Sequence, residues 1–388
     1  MKHATLLVLL ALWLSGCGAK SGDFWPSTLC PEHNTEGPDD VCLITHPYQN
    51  LPVGQALRIS SASVASDGRW VALGGMQNAN GRPSPVLLVD LLTGMVTDYE
   101  APVDSSASPV ALSPDNRMLA AAVIGPNDEH LVRVWTLTDP PTVLDLSAQT
   151  RNKQPYALSF SSVVFTPDSR TVIAGRGSSE VVLWDATSGA LKNILSLPEP
   201  DDEPTTVTVS VDGTMLAVAS RWSGPLVTVF DVRSGALLHS LDVSKLDHYQ
   251  GWPQDVAFSP DGSTIAVPAS CQEIDCEGVI WLWDLNTGQT RPLRGHIGQA
   301  YSVIFHPDGR WLASGGGDDT IRIWDWRAGT EIDRLDPKRA AQMAGRTPPF
   351  SPWSTAHQMS ITANGDTLVF TESAGQARVW RLPERLWR

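Results

Sequence analysis

Apolar and polar residues alternate along short segments of this chain, most clearly between residues 301 and 335. Tyr301–Phe305 alternates with a period of two, as expected of a half-buried strand. His306-Pro307-Asp308-Gly309 then forms a turn, because Pro restricts one φ, Asp hydrogen-bonds nearby backbone and Gly accepts a positive φ. Further strands over Trp311–Gly315, Thr320–Trp324 and Thr330–Leu335 complete a predicted four-stranded antiparallel meander.

The same order of strands and turns recurs along most of the chain. One Asp or Asn turn residue marks each copy, and successive markers lie between 44 residues (168 to 212) and 56 residues (308 to 364) apart. This spacing suits the blades of a propeller with loop insertions, so seven copies predict seven blades. The turn residues are Asp67, Asp115, Asp168, Asp212, Asp261, Asp308 and Asn364.

A second periodicity is in phase with the first. Five of the seven third strands end in Trp, at Trp135, Trp184, Trp283, Trp324 and Trp380. A glycine shortly after the third strand predicts a positive φ in the next hairpin, at Gly94, Gly189, Gly235, Gly288 and Gly329.

At Gly295-His296 and Trp324-Asp325 the best-preserved copy resembles the WD repeat, the blade of a β-propeller. The resemblance implies an all-β, seven-bladed WD-repeat-like β-propeller, with four antiparallel strands per blade, over residues 51–388. The chain stops soon after the third strand of the last blade, so we expect an N-terminal strand to close the ring and cover the sheet edge. We favour Val41–Thr45 for this strand over Gln55–Ile59, which is needed as the connection into the first blade.

The same copy holds a polar set that resembles the structural tetrad of WD repeats: His296, Ser314, Asp318 and Trp324. In that network the Trp N–H bonds Ser, Ser bonds His, and His bonds a buried carboxylate. A catalytic triad of Ser, His and Asp is the rival interpretation, disfavoured because the positions match the structural network and no Gly-x-Ser-x-Gly elbow occurs. Asp318-Asp319 could bind Ca²⁺, although a turn and tetrad role accounts for both residues. We expect the other copies, which lack Gly-His, to hold their turns by packing alone.

The first residues have the pattern of an export signal. Ala4–Trp13 is apolar, and Leu14-Ser15-Gly16-Cys17 resembles the lipobox of bacterial lipoproteins. The resemblance implies a signal peptide over residues 1–16 and a lipid anchor on Cys17 in the bacterial cell envelope. Gly18 favours the outer membrane, facing the periplasm, if the cell is Gram-negative. Residues 17–50 are interpreted as the anchor, a tether and a leader; an ordinary signal peptide is the alternative.

Four further cysteines favour disulfides in an exported chain, and four Cys allow three connectivities. The local pairs are preferred because each lies within one short segment. If Val41–Thr45 closes the ring, the Cys30–Cys42 bond would staple the ring seam. A metal site is disfavoured because no Cys-x-x-Cys pair occurs. The preferred pairs are Cys30–Cys42 and Cys271–Cys276.

Loop lengths indicate where binding occurs. The loops between second and third strands, and between blades, are long, and propeller geometry puts both kinds on one face, the top, around the channel. The candidate partner contacts are two aromatic residues among prolines, Phe350 and Trp353, and one acidic stretch, Asp201, Asp202 and Glu203. The alternative interpretation of the acidic stretch is a solvated loop without a partner. The loop that carries the two aromatic residues could instead fold back as a lid, and Pro337–Gly345 within it is the one helical candidate.

The formal net charge of −14 argues against nucleic acid as a partner. No phosphate loop, nucleotide-binding glycine pattern or zinc spacing is present, so no cofactor or metal is expected. The prediction is a monomeric, non-enzymatic scaffold that binds one or more envelope proteins through its top loops. The alternatives are a propeller-type hydrolase or a quinone- or metal-dependent enzyme, and a small-ligand or glycan sensor in the central channel, because a propeller fold alone does not choose between them.

Overall fold

The computed structural model describes residues 41–44, 58–76, 86–99, 107–124, 129–147, 159–177, 179–199, 202–221, 226–247, 252–269, 277–336, 356–372, 377–382 and 386. They form seven four-stranded antiparallel sheets. The predicted all-β, seven-bladed propeller is therefore confirmed. Among the described residues, no helix is long and apolar enough to cross a membrane.

The first three blades follow chain order. Blade 1 contains β2 (Arg58–Val64), β3 (Trp70–Met76), β4 (Val86–Asp90) and β5 (Val96–Tyr99). Blade 2 contains β6 (Val110–Leu112), β7 (Met118–Ile124), β8 (His130–Thr136) and β9 (Val143–Leu146). Blade 3 contains β10 (Phe160–Phe165), β11 (Thr171–Arg176), β12 (Glu180–Asp185) and β13 (Leu191–Ser196).

The next three blades repeat this order. Blade 4 contains β14 (Glu203–Val209), β15 (Met215–Arg221), β16 (Leu226–Asp231) and β17 (Leu237–Asp242). Blade 5 contains β18 (Ala257–Phe258), β19 (Thr264–Pro268), β20 (Glu277–Asp284) and β21 (Thr290–Ile297). Blade 6 contains β22 (Ala300–Phe305), β23 (Leu312–Gly316), β24 (Ile321–Asp325) and β25 (Thr330–Leu335).

Blade 7 joins the two ends of the chain. It contains β26 (Ala356–Ile361), β27 (Thr367–Glu372) and β28 (Ala377–Arg381), and β1 (Val41–Ile44) pairs antiparallel with β28. The predicted closure by the segment that starts at Val41 is thus confirmed, and Arg58 and Ile59, the two residues before Ser60, lie in β2. Leu386, beyond β28, contacts blade 6, where its carbonyl accepts a hydrogen bond of 2.6 Å from Nε1 of Trp311.

The first strands of the blades, from β2 to β26, contact one another in cyclic order and surround the central channel. The hydrophobic core is divided into seven clusters, and each lies between two neighbouring blades. Between blades 3 and 4, for example, Ile173 and Leu183 pack with Leu216 and Phe230. Each such side chain contributes roughly 1.5–3 kcal/mol when buried, so packing between blades holds the ring together.

The backbone confirms the predicted turns. Between the first and second strands φ is positive at Gly68, Asn116, Ser169, Gly213, Gly262, Gly309 and Gly365. The predicted hairpin glycines also have positive φ, at Gly94, Gly189, Gly235, Gly288 and Gly329. The helical candidate Pro337–Gly345 and the cysteines Cys30, Cys271 and Cys276 lie outside the described residues, whereas Cys42 lies in β1 opposite Val379.

Candidate functional site

The four predicted tetrad residues are joined in one hydrogen-bond chain. Nε1 of Trp324 donates to Oγ of Ser314 at 2.8 Å, and this hydroxyl lies 2.7 Å from Nε2 of His296. Nδ1 of His296 lies 2.9 Å from Oδ1 of Asp318. Since Ser314 accepts from Trp324, it donates to His296, whose other nitrogen then donates to the carboxylate. His296 belongs to β21, so the chain links blade 5 to blade 6 rather than lying within one blade.

This hydrogen-bond network has a structural role. His296 and Ser314 are fully buried, so a substrate cannot reach the hydroxyl, and Trp324 already occupies it. The geometry therefore opposes a catalytic triad. Burial by itself raises the pKa of Asp318, but the hydrogen bonds that it accepts from His296, Thr320 and the backbone N–H of Ile297 outweigh this effect and hold the pKa below its ordinary value. Asp318 thus remains an anion, as a structural acceptor requires.

Arg322 extends the tetrad, and its role was not predicted. Its side chain is nearly buried and donates to Asp318 at 3.0 Å and to Glu331 at 2.6 Å. The arginine sits opposite Ser314 in the register of β23 and β24. The sequence signal is its place two residues before Trp324, on the same face of the strand.

Among the seven blades, only blade 6 has a hydroxyl side chain at the second-strand position of Ser314, which explains why the tetrad occurs once. Trp184 finds another partner, donating from Nε1 to the carbonyl of Ser147 at 3.3 Å, whereas Nε1 of Trp380 is buried with no partner among the described residues. The residues at the position of Ser314 in the other blades are all apolar: Leu73, Ala121, Ala174, Val218, Val267 and Phe370.

The turns of the other blades are not held by packing alone, and that expectation was wrong. In blade 3 the hydroxyl of Thr166 donates to Asp168 at 2.6 Å and accepts from the backbone N–H of Thr171 at 3.0 Å. This hydrogen bond from Thr166 also lowers the pKa of Asp168. The same hydroxyl, two residues before the turn residue, is present as Ser113, Thr166, Ser210, Ser259 and Thr362, and its distance to the backbone N–H is 2.8–3.1 Å.

The opposite end of the channel has a different pattern, which we call the mouth. Its residues lie seven positions before each turn residue, where the chain enters the first strand from the interblade loops. In five blades this residue is extra in the strand, a β-bulge, which directs its side chain away from the sheet. All seven are half-buried or exposed: Ser60, Ser108, Ser161, Thr205, Gln254, Tyr301 and His357.

Mouth residues of neighbouring blades contact one another. Oγ of Ser60 donates to Oγ of Ser108 at 2.8 Å, and the rings of Tyr301 and His357 are 4.9 Å apart at an angle of 51°. Desolvation raises the pKa of Tyr301 and lowers that of His357, so both are neutral at neutral pH. The mouth is therefore polar but uncharged.

The residue that directly follows each mouth residue in the chain lies at the boundary with the following blade, and we call it the seam residue. Its side chain accepts a hydrogen bond from a backbone N–H there in four blades. Ser61 accepts from Val110 at 3.0 Å, Ser162 from Val207 at 3.2 Å, Asp255 from Val303 at 3.0 Å, and Gln358 from Ala62 at 3.3 Å.

Asp255 is the one acid at a seam position. Its second oxygen accepts from the backbone N–H of Val256 at 2.9 Å. The side chain keeps some solvent contact at the channel wall, but protein surrounds it, and this desolvation raises its pKa to about 7. The two backbone hydrogen bonds oppose that shift without cancelling it. The sequence analysis did not identify this residue, although an alignment of the blades shows that Asp255 is the only acidic residue at the seam positions.

The structure changes the interpretation of the acidic candidate contacts. Asp202 is fully buried, not solvated, and Oγ of Ser220 donates a hydrogen bond to its carboxylate at 3.0 Å. Glu203 is the first residue of β14 and pairs with Arg221 across the strands at 2.8 Å. Asp201, Phe350 and Trp353 lie outside the described residues and remain predictions. Within the described part of the chain, no three His, Cys, Asp or Glu side chains are grouped to hold a metal ion.

The fold and the tetrad define the class of protein, a seven-bladed propeller similar to WD-repeat proteins. Residues 288–325 match the family "WD domain, G-beta repeat". This match begins at the hairpin glycine Gly288 of blade 5 and ends at Asp325 of blade 6. The sequence repeat is thus offset from the blade by one strand, which is why His296 belongs to one blade and its partners to the next.

Known proteins similar to this chain carry the same kind of repeat. This chain is 24% identical over 255 residues to the small ribosomal subunit protein RACK1y of Oryza sativa subsp. japonica, and the match covers 62% of this chain and 69% of the relative. It is 26% identical over 142 residues to the target of rapamycin complex subunit wat1 of Schizosaccharomyces pombe, covering 36% and 38%. It is 30% identical over 154 residues to WD repeat-containing protein SL1-17 of Schistosoma mansoni, covering 39% and 45%. The chain spans less than half the length of the last two relatives.

Proposed function

We propose that this chain is a protein-interaction scaffold that binds its partners at the channel mouth and the loops around it. The observation that carries the proposal is the contrast between the two ends of the channel. The turn end repeats one closed hydrogen-bond pattern, whereas the mouth presents bulged, accessible side chains that differ from blade to blade. Variable side chains on a rigid frame suit selective binding.

The names of two similar proteins support this proposal, because each describes a subunit of a larger assembly. RACK1y is by its name a protein of the small ribosomal subunit, and wat1 a subunit of the target of rapamycin complex. Both names describe components of larger assemblies. WD-repeat propellers are typical interaction scaffolds, and we infer the same role for this chain.

Photo-crosslinking in the native cells tests the proposal. A photoreactive amino acid replaces Ser161, an exposed mouth residue, and in a matched control replaces Val211, a turn residue that is 62% exposed. We expect discrete protein adducts from position 161 and none from position 211. Adducts from the turn position alone, or from neither position, would overturn the proposal.

We further propose that the scaffold works in the bacterial cell envelope, tethered through lipid on Cys17. The support is the lipobox-like Leu14-Ser15-Gly16-Cys17 after an apolar segment. Cells are labelled with a clickable fatty acid and fractionated. We expect label and membrane association in the wild type, and loss of both in Cys17→Ser but not in Cys30→Ser. Unlabelled wild-type protein would contradict the anchor without affecting the scaffold role.

A further inference from the structure

The hairpin between the third and fourth strands of blade 1 differs from its counterparts in other blades. Blades 3, 4, 5 and 6 have a hairpin of the same length, with Asp and Gly at the same positions. Where blade 1 has Leu92 and Met95, these four hairpins have polar residues or Ala: Thr187, Arg233, Asn286 and Arg327 at the first position, and Ala190, Ala236, Gln289 and Thr330 at the second. Of the five hairpins, only that of blade 1 carries two large apolar side chains.

Leu92 and Met95 are exposed to solvent, at 45% and 56%, although the backbone that carries them is held in place. The buried carboxylate of Asp90 accepts hydrogen bonds from the backbone N–H of Leu92 at 2.8 Å and of Thr93 at 3.3 Å. Arg69 donates to the same carboxylate at 2.8 Å. The turn therefore presents both side chains outward, and neither contributes to the core. Large apolar side chains presented together at a surface indicate a contact with an apolar partner.

This hairpin lies on the boundary with blade 7. Leu91, within the turn, is buried together with Val379 of β28. In later blades the equivalent hairpin lies against the outermost strand of the preceding blade. A Cβ on Gly189 would lie 3.1 Å from Leu144 in β9, and a Cβ on Gly235 would lie 2.7 Å from Leu195 in β13. The outermost strand of blade 7 is β1, so the same geometry places the blade 1 hairpin beside β1.

The chain enters β1 at the end of the ring where this hairpin lies. Val41, the first residue of β1, is opposite Trp380, just as Val96 is opposite Val89 directly after the hairpin of blade 1. Residues 18–40 connect Val41 to Cys17 and span at most about 80 Å when fully extended. A lipid on Cys17 would therefore keep the turn end of blades 7 and 1 close to the bilayer.

A tether of this length makes a small apolar contact effective. Two exposed side chains bind a bilayer weakly on their own, but a lipid anchor on the same chain raises their effective concentration at the bilayer. The formal net charge of −14 disfavours attraction to anionic lipids, so such a contact must be apolar.

We propose that Leu92 and Met95 form a membrane contact that docks the turn end of blades 7 and 1 on the bilayer holding the lipid anchor. This inference rests on the proposed lipidation of Cys17. In this orientation the channel mouth, at the opposite end of the ring, faces away from the bilayer and stays accessible to protein partners.

The test uses the full-length lipidated protein in phosphatidylcholine vesicles. An environment-sensitive fluorescent amino acid replaces Thr93, which is exposed between the two apolar residues. In the matched control it replaces Ser234, the equivalent exposed residue of blade 4. Blade 4 lies across the ring and also exposes two apolar side chains, Leu237 at 49% and Leu238 at 45%. The comparison thus separates nearness to the anchor from exposed apolar surface alone.

We expect the emission from position 93 to shift to the blue and to fall at least about twofold when the vesicle lipids are brominated, because interfacial side chains enter the headgroup and acyl boundary. Position 234 should show neither change. Leu92→Ser combined with Met95→Ser should abolish both changes at position 93, and Leu237→Ser combined with Leu238→Ser should preserve them. All four side chains are exposed, so these variants are expected to fold. Equal quenching at positions 93 and 234, or quenching that survives Leu92→Ser with Met95→Ser, overturns the proposal.

Two other occupants of this surface give different results. A blue shift at position 93 without vesicles, together with a dimer in analytical ultracentrifugation, overturns the membrane contact in favour of a second copy of the chain. Discrete protein adducts from a photoreactive amino acid at position 93 in cells overturn it in favour of a protein partner.

The membrane contact and the lipid anchor can fail separately. Intact mass spectrometry of the vesicle sample reports whether Cys17 carries lipid. Lipidated protein that shows no change at position 93 removes the hairpin contact and leaves the anchor intact. Protein without lipid on Cys17 removes both proposals, while the crosslinking from position 161 still decides the scaffold role.

Discussion

The two ends of the innermost strands use the same small polar residues for different purposes. At the turn end, Ser210 is fully buried and its hydroxyl is bonded to Asp212 and to the backbone N–H of Met215. At the mouth, Ser161 is exposed and has only a marginal hydrogen bond, 3.5 Å to the carbonyl of Gly175. The residue type is the same, so burial and the backbone donor nearby decide whether a serine stabilises the fold or remains available to a partner.

Gly365→Ala should show how little space the turn end leaves. A Cβ on Gly365 would lie 1.8 Å from Nε2 of the buried His306, at φ +74. We expect a loss of about 4 kcal/mol or more in the free energy of unfolding, measured with urea. Gly288→Ala is the matched control, since it has φ +72 but nothing within 4 Å, and should cost only about 1 kcal/mol. Equal losses would show that backbone strain, not packing, controls these turns.

Ser314→Ala tests the tetrad of blade 6, whose buried hydrogen bonds fix the chain where it passes from blade 5 to blade 6. The substitution leaves the N–H of Trp324 and Nε2 of His296 buried without a partner. We expect a loss of about 2–3 kcal/mol in urea unfolding. Combining it with Trp324→Phe should cost less than the sum of the two single changes, because the same bond is lost in both. Additive losses would argue that Ser314 acts through packing alone.

Asp255→Asn is expected to stabilise the protein, in contrast to changes at the turn end. The folded pKa of about 7 lies above the unfolded value, so the folded state binds the proton more tightly. That stability is complete below the unfolded pKa and is lost as the pH rises through about 7. The variant should gain up to about 4 kcal/mol at pH 8 and nothing at pH 4, measured by thermal unfolding in both buffers. A gain independent of pH would contradict the raised pKa of Asp255.

The smallest effects separate the two serines directly. Ser210→Ala removes a buried acceptor from the Met215 N–H and should cost about 1–2 kcal/mol. Ser161→Ala should change stability by less than about 0.5 kcal/mol, because the side chain is exposed. The comparison between the two ends would fail if both substitutions were equally costly in urea unfolding.

Much of the fold was predictable because its signals are local. The spacing of residues such as Asp168 and Asp212 marked the blades, and the glycines after the third strands marked hairpins that do have positive φ. The buried turn hydroxyls were missed, although a Ser or Thr two residues before the turn Asp is a local pattern that would have revealed them. The hydrogen-bonding partner of His296 was predicted correctly, but not its place on the preceding blade.

The residues that only the tertiary structure identifies are those with distant partners. Asp255 accepts a hydrogen bond from Val303, 48 positions away, and the buried Asp202 accepts one from Ser220 in β15. Sequence alone determined the number of blades and their turns, since those depend on neighbours along the chain. Which polar residues are buried, and which carboxylate has a raised pKa, was decided when the ring closed, because burial and electrostatics depend on groups that only the closed ring brings together.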